Sequence, residues 1–83
     1  MNLYTKANMI VNKDTQLSND IEKLNNIKEY LVNYDSSCNI FNLYQIDNLW
    51  GLYKRNCEMR QIYADYKNLE DFIDWIEIEF EWL

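Results

Sequence analysis

The stretch LEDFIDWIEIEFEWL, Leu69 to Leu83, decides between two folds. Read at a helical period, Leu69, Phe72, Ile73, Ile76, Phe80 and Leu83 form one apolar stripe, with Glu70, Asp71, Asp74, Glu77 and Glu81 opposite. Ile78 and Glu79 are the misfits, the first among the acids and the second at the edge of the stripe. From Ile76 onward a period of two also fits. It puts Ile76, Ile78, Phe80 and Trp82 on one face and three glutamates on the other, a pattern that suits a strand rich in β-branched and aromatic residues. Carboxylates in a first turn meet the positive end of the helix dipole, which favours helix through Trp75 or beyond. The expectation is a mainly α single domain over residues 1–83, a bundle of three to four helices. An α+β fold with a short N-terminal or C-terminal strand is the alternative.

Working outward, Leu17, Ile21, Leu24, Ile27, Leu31 and Tyr34 recur at spacings of three and four, and predict a helix over 19–34 capped by Asn19 or Ser18. Asp35-Ser36-Ser37 breaks that pattern, and CNIFNLYQI (38–46) follows as a short apolar segment of open type. Asp47 is placed as the cap of a second helix running to about residue 66, with Leu49, Leu52, Tyr53, Asn56, Met59 and Tyr63 on one face. Gly51 inside it implies either a close neighbour or a later start, because glycine costs a helix about 1 kcal/mol against alanine. Asn68 is placed as the cap of the third helix. Residues 3–12 lack a clear period and fit a short strand or extended arm.

A chain of 83 residues has a small core. Its 16% aromatic content offsets this, since each aromatic side chain buries about 150–250 Å². Nearly half the residues are apolar, which argues against disorder. The many Asn, Ile, Lys and Tyr residues fit coding DNA of low G+C content, as in some bacteria and phages. No secretory signal pattern and no apolar run of spanning length is present, so a cytoplasmic location is expected. Cys38 and Cys57 read as buried free thiols.

The chemistry the sequence lacks narrows the function. With no histidine, cysteine has no usual base and zinc no common nitrogen ligand. One glycine cannot make a phosphate-binding loop, and NLEDFIDWIEIE has no central glycine for a calcium loop. No catalysis, cofactor or metal is expected. The segment YKRNCEMRQIYADYK (53–67) mixes Lys54, Arg55, Arg60 and Lys67 with tyrosines, as single-strand binders do, but Glu58, Asp65 and the overall negative charge oppose direct nucleic-acid binding.

The net charge of −6 divides into −1 over residues 1–41, +1 over 42–68 and −6 over 69–83. Helix or strand, the last fifteen residues form a ladder of carboxylates on an apolar backing. Such a ladder fits a solvated face, or a basic surface on another protein where complementary potentials steer association. A small, acidic, cysteine-poor, histidine-free chain with a row of carboxylates resembles the small phage-encoded anti-CRISPR and other anti-defence inhibitors. Glu70, Asp71, Asp74, Glu77, Glu79 and Glu81 carry that resemblance, which implies a stoichiometric blocker of a nucleic-acid-binding or nucleic-acid-guided enzyme. The stretch IDNLWGLYK is weakly similar to the acidic helix region of barstar-like nuclease inhibitors. The expected partner-binding residues are those six acids and Trp82, with Trp82 or Trp75 an aromatic anchor if exposed. The expected partner is a nuclease or other basic protein, not nucleic acid or membrane, met by a monomer or homodimer. The alternative is a homo-oligomeric structural or regulatory assembly protein that pairs through the C-terminal apolar face or an edge strand at 76–82.

Overall fold

The structure, a computed structural model, describes Tyr4, Thr5, Ala7 and residues 17–81, with side chains throughout 17–78. Three helices follow one another among the described residues, which contain no strand: α1 (Ile21–Tyr34), α2 (Leu43–Met59) and α3 (Glu70–Glu81), with a 3₁₀ turn at Ser36–Ile40 between the first two. The mainly α expectation holds. The period-two reading of the C-terminal stretch is corrected, because Ile76 to Glu81 continue α3. Three buried residues at helical spacing, Phe72, Ile73 and Ile76, outweigh the β preference of the tail. Of the 3–12 stretch only Tyr4, Thr5 and Ala7 are described, and their backbone is helical; the rest lies outside the described residues.

Helix α1 starts two residues later than the periodicity implies. Asp20 is its N-cap, accepting from the Glu22 N–H at 2.8 Å. Leu24, Ile27 and Leu31 are buried, but Leu17, Ile21 and Tyr34, the ends of the same stripe, face solvent. Asp35 then does two jobs. Its N–H donates to the Leu31 carbonyl at 2.8 Å, ending α1, and its carboxylate accepts from the Ser37 N–H at 3.0 Å, starting the 3₁₀ turn. The turn sets Cys38 and Phe41 into the core.

Helix α2 starts at Leu43, inside the segment whose type was open. Asn42 and Gln45 form a reciprocal capping box, each side chain bonded to the other's backbone N–H at 2.9–3.0 Å. Gly51 therefore lies well inside the helix, and a Cβ there would meet nothing within 4 Å, so neither a close neighbour nor a later start explains it. The buried face is Ile46, Leu49, Trp50, Tyr53 and Cys57. Met59 and Tyr63, expected on it, are 84% and 86% exposed.

The helix ends at Met59, short of residue 66, although no glycine or proline stops it. Gln61 takes a left-handed conformation (φ 59°). Its N–H donates to the Glu58 carbonyl at 3.1 Å, and the Ile62 N–H donates to the Cys57 carbonyl at 3.0 Å. That is a Schellman turn with glutamine where glycine is favoured. Helix α3 then begins at Glu70, one residue later than a cap at Asn68 would start it. The Leu69 carbonyl accepts from the Ile73 N–H at 3.1 Å, placing Leu69, not Asn68, at the cap position.

One continuous core joins the three helices, the 3₁₀ turn and Ala7. Between α2 and α3 it is aromatic. The Phe72 ring lies edge-on to Trp50 at 5.4 Å and 5.1 Å from Tyr53, and Trp75 lies 5.6 Å from Tyr53. Pairs of this kind contribute roughly 0.5–1.5 kcal/mol each beyond area burial. They fix which side of α3 faces inward, and so where its acids point.

Candidate functional site

With Phe72, Ile73 and Ile76 buried, the opposite side of α3 presents its carboxylates. They do not act alike. Glu70 and Asp74 are exposed. Asp71 is half-buried and tied down: its carboxylate accepts from the Arg60 guanidinium at 2.9 Å and from the Tyr53 hydroxyl at 2.7 Å. The Arg60 bond first, and then the Tyr53 bond, hold the Asp71 carboxyl below its usual pKa. Arg60 is itself stabilised as a cation by Asp71. Burial and the bond to Asp71 push the Tyr53 hydroxyl up, so it donates at every physiological pH.

Glu77 accepts from the Tyr34 hydroxyl at 2.9 Å, joining the second half of α3 to the last residue of α1. This bond, reinforced by the charges of Glu77, Asp74 and Asp35, raises the Tyr34 pKa. Three carboxylates from two parts of the chain thus act on one phenol. The sequence reading missed Tyr34 and Asp35 here, because Tyr34 lay on the stripe assigned to the core. Their only sequence signal is their place at the end of a helix.

Trp75 is 8% exposed and stacks against Phe72 at 6.1 Å, so it is a core residue and not an aromatic anchor. Ile78 is 53% exposed, as its place among the acids on the wheel implies. Glu79 and Glu81 belong to the last turns of α3, but their side chains lie outside the described set, and Trp82 lies outside the described residues altogether.

The middle segment is rearranged relative to its expected role. Arg60 neutralises Asp71 from the C-cap of α2. Asp47 is no cap: it lies inside α2, only 3% exposed. Its two oxygens accept from the Ser18 N–H at 2.7 Å, the Ser18 hydroxyl at 3.2 Å, the Asn19 N–H at 3.1 Å and the Asn19 amide at 2.6 Å. Ser18 and Asn19, read as caps of α1, instead tie the approach to α1 onto α2.

Cys38 and Cys57 are buried and unbridged. Burial first, then the Asp35 charge, pushes the Cys38 thiol up to about 11, so it is a poor nucleophile at neutral pH. Among the described residues no three Cys, Asp or Glu side chains gather as a metal site, and no helix is long and apolar enough to cross a membrane. Compared with known proteins, the chain matches no family model, no curated protein and no solved structure.

Proposed function

We propose that the chain is a non-catalytic acidic inhibitor of the anti-CRISPR or anti-defence type. It acts in the cytoplasm of a bacterial host and blocks the basic surface of a nucleic-acid-binding or nucleic-acid-guided enzyme. The observation that carries this reading is the charge of α3 against its own dipole. Its last turns contain Glu77, Glu79 and Glu81 and no basic residue, at the end of a helix where cations are favoured and anions are not. Glu70 and Asp74 extend the row toward the N-terminus, and neighbours at helical spacing lie about 5–6 Å apart at Cβ. Such a placement costs stability at the C-terminal end of the helix, offset in part by the Tyr34 bond to Glu77, and a positive partner offsets more of it through desolvated pairs that fix register.

The exposed pair Glu70 and Asp74 is the cleanest probe, since neither carries a bond of the core. The experiment measures target cleavage by RNA-guided nucleases against rising inhibitor, using wild type and the double variant E70K/D74K. Loss of inhibition in the folded variant, together with weakening of the wild type by salt, supports the reading. Inhibition that survives charge reversal would sink it.

The assembly alternative finds less support. Phe72, Ile73 and Ile76 are already buried in the chain's own core, and residues 76–81 are helical and offer no strand edge.

A further inference from the structure

In a chain of net charge −6, Lys23 of α1 and Lys54 of α2 line one cavity of about 300 Å³, beside Trp50 and Glu58 of α2 and Tyr63 and Tyr66 of the loop that follows. Neither ammonium has a carboxylate within ion-pair distance among the described residues. Each is instead positioned by a neutral group. The Lys23 Nζ lies 4.8 Å above the Tyr66 ring, and the Lys54 Nζ donates to the Asn19 side-chain amide oxygen at 3.3 Å. Asn19 is itself oriented by the buried Asp47, which takes its amide N–H at 2.6 Å and so turns the amide oxygen toward Lys54. Two half-buried cations are therefore held in place at a conformational cost for lysine, with no carboxylate at ion-pair distance among the described residues.

The loop wall is built with equal care. It leaves α2 through the left-handed Gln61, a conformation that costs a non-glycine residue about 1–2 kcal/mol, and this turn brings Tyr63 and Tyr66 to the mouth of the cavity. Tyr63 leaves 86% of its surface to solvent there, an exposed ring with no role in the core.

The geometry points to this cavity as a binding site for a small anion that carries an aromatic ring, a mononucleotide being the representative ligand. The volume is at the lower end of the range for small-molecule cavities. The anionic group meets Lys23 and Lys54, and the ring lies against the tyrosines, which accept a planar face. Glu58, the one carboxylate among the described residues of this wall, selects rings that present an N–H or O–H. The site uses none of the acids of α3, so it stands or falls separately from the inhibitor reading.

The test is a titration of the full chain followed by amide NMR shifts, with adenosine 5′-monophosphate, adenosine (ring without anion) and inorganic phosphate (anion without ring) as probes. The monophosphate is expected to saturate, with shifts confined to the cavity wall. Adenosine and phosphate are each expected to bind about tenfold more weakly or less. K23Q and K54Q should each weaken the monophosphate about tenfold, whereas K28Q, on the same helix as Lys23 but outside the cavity, should leave it unchanged. K23Q keeps the test open if K54Q disturbs the Asn19–Asp47 network and does not fold. No saturable shift up to about 10 mM monophosphate, equal binding of phosphate and monophosphate, or K23Q binding like wild type would each overturn the assignment.

Discussion

Two sets of carboxylates in this molecule behave in opposite ways. Asp47 stands alone in its part of the sequence, is almost wholly buried, and takes hydrogen bonds from four donors on Ser18 and Asn19. The acids of α3 come in a dense row, yet Glu70 and Asp74 point into water and only Asp71 is bound into the structure by both a cation and a phenol. An isolated acid can be surrounded by donors and removed from water, because its bonds offset the desolvation. A row cannot, since mutual repulsion grows as water is excluded. The lone acid therefore serves the fold, and the row is left for the surface.

The strongest way to break this contrast is D47A. It leaves two backbone N–H groups and two side chains without their acceptor, and should cost about 3 kcal/mol, a large part of the stability of a small domain. A urea midpoint within error of wild type would show that water replaces the carboxylate and that Asp47 is not structural.

Next in size is Q61G, which should stabilise by about 1 kcal/mol by relieving the left-handed turn. The midpoint of thermal unfolding should rise by roughly 4–8 °C. The Arg60–Asp71 bond lies beside this turn and should be unchanged, which a retained pH response of Asp71 would confirm.

D71N should destabilise by about 0.5–1 kcal/mol, discounted because both members of the ion pair are partly exposed to solvent. Its effect has a definite pH dependence. The folded-state pKa of Asp71 is lowered, so its contribution is fully present above the unfolded value of about 3.9 and is lost as pH falls through the folded value. Wild type and D71N should therefore converge in acid below that range and differ by a constant amount from about pH 5 to 8. Convergence at neutral pH instead would mean that Arg60 and Tyr53 do not hold the carboxylate.

Smallest of all is D74N. Relief of repulsion with Glu70 and Glu77 should stabilise by a few tenths of a kcal/mol. A loss above about 1 kcal/mol would place Asp74 with Asp47 and not with the row.

How much of this was legible beforehand follows the same physics. The central part of α1 and the inward face of α3 through Ile76 were readable, because three or more apolar residues at helical spacing leave few alternatives. The end of α2 was not. No glycine or proline marks it, and Gln61 accepts a left-handed conformation only because the Cys57 and Glu58 carbonyls take up the N–H groups that follow. The start of α2 was missed for a related reason: Asp47 is a better cap by composition, but Asn42 and Gln45 satisfy each other and Asp47 is drawn to Ser18 and Asn19, nearly thirty residues earlier in the chain. In the candidate site the acids were visible by type, while the division into bound and free members depended on Arg60, Tyr53 and Tyr34.

From the sequence alone came the mainly helical class, the segregation of charge into the last fifteen residues and the want of histidine chemistry, because period and composition are local properties. Tertiary structure decided which acid is buried, which is paired, and which two lysines line one cavity with no carboxylate at ion-pair distance among the described residues. Those outcomes depend on contacts between residues 11 to 43 positions apart, and the worth of a charge is set by the groups and the water that surround it.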